Sequence, residues 1–219
     1  MKALIFFFIF SCSLTLVAQN HQLDSAAVAQ KLDSLKTIYP NVKYNGKYQP
    51  SFYAALQVYP ELLDVEIEFD YRNIPTTMQC RPKPFSVLRR SEKRKFLMIF
   101  NQNMGKSRGV PLNELSFDAR VGLFAHELAH IIDYRRKRSL GIIALGFKYV
   151  TKRGKQELEH TIDRIIIWRG FGHQLYQYAV EVSKNQAISD DYRKRRQSIY
   201  LQPEEIIELI KIVEAHRSE

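Results

Sequence analysis

Two histidines four residues apart with a glutamate between them, His126-Glu127-Leu128-Ala129-His130, are the residues of this chain whose types and spacing most directly specify chemistry. On a helix, positions four apart stand one turn above each other on one face, so both imidazoles can offer a nitrogen to one metal ion. Glu127 is offset by one residue, which suits its carboxylate to act as a base towards water rather than as a ligand. Zn2+ is the ion such a pair takes; it acidifies water towards neutrality and polarises a carbonyl, which opens an inert amide to attack. A shuffled chain with 6 His among 219 residues would hold only about 0.01 such motifs. The surroundings add weight. The stretch from Val121 to Ile132 contains no Lys, Arg, Gln, Asn, Ser or Thr, so the three polar groups lie in an otherwise apolar segment. Buried there, they need compensation, and a metal supplies it. The alternatives are two core histidines bonded to backbone carbonyls with Glu127 in an ion pair, or a structural zinc. The second would call for a further Cys or His, and no cysteine is nearby.

A third ligand has to come from another segment, and Glu157, Glu159, His160 and Asp163 are the candidates downstream. The combination of His126-Glu-Leu-Ala-His130 with Glu159-His-Thr-Ile-Asp163 resembles the glutamate-zincin metallopeptidases, the class that includes thermolysin. That resemblance implies Glu159 as the third zinc ligand and Asp163 as the carboxylate that holds a ligating histidine through its other ring nitrogen. It also implies hydrolysis of a peptide bond, and an exposed strand edge along the cleft on which extended substrate pairs. The natural candidate for that strand is Phe96 to Phe100. The likeness covers Phe117 to Gly170, and the 29 residues from His130 to Glu159 form a longer gap than in the thermolysin type, filled by a basic and apolar insert from Arg135 to Lys155. Position 133 is Asp, so the metzincin pattern is absent. Asp133 shares the motif face and is a candidate for orienting a ligand, or else the start of a polar helix end. His173, Tyr176 and Tyr178 are candidates for stabilising an oxyanion. Between Glu159 and His160, which point about 100° apart on a helix, Glu159 is favoured because Asp163 lies one turn along its face, whereas His160 has Arg164 there.

The elements that must position these residues follow from periodicity. Leu23 to Tyr39 reads as a helix stopped by Pro40, and Tyr48 to Leu63 contains a short helix bounded by Pro50 and Pro60. Val65 to Tyr71 alternates apolar with acidic residues, and Arg94 to Asn101 is a more apolar strand; Pro75, Pro82 and Pro84 mark a loop between them. Ser116 is suited to cap a helix from Phe117 to Arg138, which carries the motif. Leu140 to Val150 is apolar and flanked by basic residues, either a core helix, the favoured reading, or an interfacial patch. Helices follow over Lys155 to Trp168 and Gly172 to Lys184, with a last one opening at Gln202-Pro203-Glu204-Glu205. The expected fold is α+β and zincin-like, with a small sheet in the first half, an active-site helix and a mainly helical second half.

Met1-Lys2 followed by the apolar run from Ala3 to Val17 reads as a signal peptide over 1–19, leaving one domain over 20–219 exported to a periplasmic or extracellular setting. The run is shorter than the ~20 apolar residues of a spanning helix. Cys12 gives lipid anchoring as a minor alternative. The mature chain then keeps only Cys80, so no internal disulfide is expected. The net charge of +10 falls by the single Lys2 and stays strongly basic, in clusters at Arg89-Arg90, Lys93-Arg94-Lys95, Arg135 to Arg138 and Arg193 to Arg196. Such clusters are solvated faces or attract an anionic membrane or envelope polymer. No aromatic residues are interleaved for base stacking, so nucleic acid is not expected. The functional expectation is a zinc-dependent hydrolase acting on a peptide or protein substrate. The rival is a basic envelope-associated binding protein with a structural or non-catalytic zinc site.

Overall fold

The computed structural model describes residues 22–105 and 109–218. The expected signal segment and Cys12 lie outside the described residues. The first half carries three short helices, α1 (Ser25–Gln30), α2 (Leu32–Ile38) and α3 (Gln49–Leu56), and three strands, β1 (Ile67–Arg72), β2 (Met78–Pro82) and β3 (Phe96–Asn101). The second half is helical: α4 (Phe117–Arg136), α5 (Ser139–Val150), α6 (Lys152–Ile166), α7 (Gly172–Lys184), α8 (Asp190–Gln197) and α9 (Pro203–Ser218). The fold is therefore α+β with a small sheet ahead of a mainly helical portion. The N-terminal helix breaks in two at Lys31, a residue with non-helical φ/ψ of −91° and 1°.

The strand order is β1-β3-β2, with β3 parallel to β1 and antiparallel to β2. This corrects the reading of Phe96 to Phe100 as an edge strand. Its five residues are all buried, the composition of a central strand whose two faces are both covered. The two edges of the sheet are β1 and β2, and β2 lies in the segment expected to be a loop. Pro82 fits there because it ends an edge strand, where no partner requires its missing N–H. Glu68 on β1 pairs with Lys83 at 2.6 Å, and Glu66, just before the strand, pairs with Lys95 at 2.7 Å.

Helix α4 runs through the middle of the molecule, with every residue from Val121 to Tyr134 buried. Ser116 caps its start, accepting from the Ala119 N–H at 3.2 Å. At its other end the Arg94 guanidinium donates to the carbonyls of Tyr134 and Lys137 at 2.7 and 2.6 Å, a cation on the negative end of the helix. Aromatic side chains join it to the sheet: the Phe124 ring meets Phe52 at 5.5 Å edge-on and Phe100 at 6.2 Å, and Tyr44 stacks on Phe100 at 5.5 Å. The buried Tyr59 hydroxyl donates to the Ala125 carbonyl at 2.8 Å, fixing the turn that precedes His126.

Gly122 lets α4 and α7 approach closely. A Cβ there would sit 2.2 Å from the Gln174 carbonyl oxygen and 2.8 Å from the Leu175 nitrogen, backbone atoms that cannot rotate away. Gly170, at φ 92°, makes the break between α6 and α7, and a π turn over Ile167–Phe171 joins them. Gly122→Ala should force the two helices apart and destabilise the protein by about 1–3 kcal/mol despite the better helix propensity of alanine. Chemical unfolding measures this, and an unchanged midpoint would contradict the close crossing.

Candidate metal site

Helices α4 and α6 pack side by side, and the motif residues of the first meet the acidic residues of the second. His126 Nε2 lies 3.1 Å and His130 Nε2 3.6 Å from one oxygen, Oε2 of Glu159. His126 turns its other ring nitrogen, Nδ1, to Asp163 Oδ1 at 3.0 Å. Asp163 thereby fixes the proton on Nδ1 and leaves Nε2 as the ring nitrogen that faces Glu159 and His130. The second oxygen of Asp163 accepts from the Leu201 N–H at 3.3 Å. All four side chains are buried, as is Glu127.

One ligand atom from each of His126, His130 and Glu159 lies within 4.8 Å of the others, so the group could hold a metal ion. The separations suit one: donors 2.0–2.1 Å from a tetrahedral zinc stand about 3.3 Å apart, against the observed 3.1 and 3.6 Å. Electrostatics favour a cation as well. Burial alone would strip His126 of its proton, yet bonds to Asp163 and Glu159 push its pKa up to about 10. Glu159 is held well below the usual carboxylate range by its bonds to the two histidines, against the effect of burial.

Glu127, one residue round the helix, makes no ion pair among the described residues; its carboxylate faces the amide of Cys80. Burial pushes its pKa up to about 7, while the two histidines and the amide of Cys80 on β2 favour the ionised form. It faces a small cavity of about 30 Å3, room for a water or two and no more. His126 and Asp163 share that cavity with Thr77 and Met78 at β2, Tyr178 on α7, and Tyr192, Arg196 and Tyr200. The Arg196 guanidinium sits 4.7 Å over the Tyr178 ring and 4.8 Å over that of Tyr200.

Glu159 and Asp163 thus meet the motif rather than forming a solvated face paired with Lys155 and Arg164. His160 takes no part; its Nε2 is buried without a hydrogen-bond partner. Asp133 pairs with Lys137 and so belongs to the polar helix end. Of the three oxyanion candidates, Tyr178 lines the cavity, whereas His173 pairs with Glu214 at 3.2 Å and neither it nor Tyr176 lines it. Sequence reasoning missed Thr77, Tyr192, Arg196 and Tyr200. Helix α8, which carries two of them, had a usable signal in Ser189, which caps it, followed by Asp190-Asp191 in the first turn. Comparison with protein families, with curated proteins and with solved structures finds no match at all.

Because His126 without metal keeps its proton to about pH 10, an ion binding near neutral pH must displace it. Zinc affinity should therefore rise with pH, with about one proton released per ion. Calorimetric titration in buffers of different ionisation heat measures that number, and zero release would show His126 already neutral. Glu159→Ala should abolish zinc binding and Asp163→Asn weaken it by roughly 10- to 100-fold, whereas His160→Ala should change it little. Loss of zinc on His160→Ala with retention on Glu159→Ala would reassign the third ligand.

Proposed function

We propose that this chain is a zinc-dependent peptidase of the glutamate-zincin type, with His126, His130 and Glu159 as ligands and Glu127 as the base. The observation that carries this reading is the convergence of the three donors beside a buried glutamate that no lysine or arginine pairs with among the described residues. A binding protein has no need of such a carboxylate. Zinc, when bound, acidifies water and polarises the carbonyl of the scissile bond.

The residues of the chain do the rest. Glu127 takes the proton from water and returns it to the departing amine, a task suited to a group with a pKa near 7. Asp163 keeps His126 in the ligating tautomer. Tyr178, Tyr200 and Arg196 face the same cavity and supply donors or positive charge for the developing oxyanion. The free edge of β2, next to Thr77 and Met78, replaces Phe96 to Phe100 as the place where an extended peptide adds as a strand. The cavity is narrow, about 30 Å3, and a displacement of the segment from α8 to Leu201 would widen it for a peptide. Export to the cell envelope or beyond belongs to the same proposal and rests on the apolar run from Ala3 to Val17.

The narrowness of the cavity favours a second reading, a basic envelope-associated binding protein whose zinc is structural. Turnover separates the two. Purified protein should hold one zinc per chain and cleave a mixed peptide library, and Glu127→Gln should keep the metal while losing cleavage by at least about a hundredfold. Full activity in Glu127→Gln would remove the assigned base, and a zinc-loaded wild type without cleavage would favour the binding protein.

A further inference from the structure

Helix α5 fills the gap between the two halves of the ligand set, and its apolar residues divide into two faces. Ile142 and Leu145 are buried, whereas Leu140, Ile143, Phe147 and Val150 recur at three- and four-residue intervals on one stripe and are exposed. Leu140 is 80%, Phe147 73% and Val150 82% accessible. This corrects the favoured core reading of the segment. The turn at Phe85 to Leu88 meets the start of the helix, where the Ser139 hydroxyl donates to the Val87 carbonyl at 2.7 Å. Phe85, held at φ 61°, and Leu88 are exposed as well. One exposed apolar side chain is ordinary, but six in neighbouring segments mark an interaction surface.

Both ends of the stripe open into basic cavities. One, of about 510 Å3, is lined by Arg89, Arg90, Arg136 and Arg138 and reaches Leu88 and Ser139; Glu92 is its one acidic wall residue. The other, of about 460 Å3, lies at Tyr149 and Val150 and is lined by Lys152, Lys155, Lys194 and Arg195, with no acidic group. Arg89, Arg90, Arg136, Arg138, Lys152 and Lys194 make no ion pair among the described residues. No helix among the described residues is long and apolar enough to cross a membrane. The 12 residues of α5 span about 18 Å, a length suited to lying in the plane of a bilayer rather than through it.

We propose that α5 and the Phe85 to Leu88 turn form a docking surface for an anionic lipid bilayer, the apolar stripe entering the acyl boundary and the two basic cavities receiving lipid phosphates. An apolar face bracketed by Lys and Arg is the composition of an interfacial helix. Anionic lipid answers both features at once, while a second copy of the chain would bring arginine against arginine. This surface does not rest on the peptidase reading, and either can fail alone.

The full chain tests it by sedimentation with phosphatidylcholine vesicles, with and without phosphatidylglycerol. Wild type should bind the anionic vesicles at least roughly tenfold better than the neutral ones. The triple variant Leu140→Ser, Ile143→Ser, Phe147→Ser and the double variant Arg136→Ser, Arg138→Ser should each lose about tenfold, with unchanged circular dichroism and zinc content. Unchanged binding by the triple variant would place the affinity elsewhere, residues 3–17 included, and overturn the proposal. Wild type that ignores both vesicles but dimerises through the stripe, as shown by a monomeric triple variant, would overturn it in favour of a contact between copies.

Discussion

Glu127, Glu159 and Asp163 are enclosed with His126 and His130 among apolar side chains at the centre of the molecule. Carboxylates in such a place are tolerated only when positive charge faces them. A proton on His126 supplies part of it, and a divalent ion between the two imidazoles and Glu159 would supply more. This requirement ties α4 to α6 across a gap in sequence. It also explains why the neighbouring polar groups, the Cys80 amide, the Leu201 amide and the Arg196 guanidinium, are donors or cations.

Much of the remaining architecture holds α4 at the correct height and rotation. Ser116 and Arg94 finish its two ends, Tyr59 holds the Ala125 carbonyl, and Gly122 lets α7 come close enough to bring Tyr178 to the cavity. Phe52, Phe100 and Phe124 lock the helix against the sheet. None of these residues is a ligand, yet each constrains the separation of His126 and His130 from Glu159. Precision in a metal site is a property of such supports as much as of the ligands.

The site was legible where local periodicity carried it. Four-residue spacing placed His126 with His130 and Glu159 with Asp163, because a helix imposes its geometry whatever surrounds it. Sheet order was not legible in this way. Strand β2 is hidden because Pro82 within it and Pro75 and Pro84 around it read as loop punctuation, and the unbroken apolar run of β3, Phe96 to Phe100, describes a strand covered on both faces rather than an edge. The roof of the cavity was hidden for another reason. Arg196 sits in a run of four basic residues that reads as solvated surface, and only the tertiary position of α8 turns it over Tyr178 and Tyr200. Helix α5 has apolar residues on all sides, so periodicity could not say which of them the fold would cover.

Asp163 divides its two oxygens between different tasks. Oδ1 receives the Nδ1–H of His126, while Oδ2 receives the N–H of Leu201, in the stretch that roofs the cavity. A carboxylate that loses one donor concentrates charge and becomes a stronger acceptor for the one that remains. Lifting the roof would therefore polarise the imidazole more strongly and make Nε2 a better electron donor. By reciprocity, an ion drawing electron density from His126 would weaken the grip of Asp163 on Leu201. The hydrogen bond to Leu201 and the occupancy of the site would thus oppose each other through one side chain.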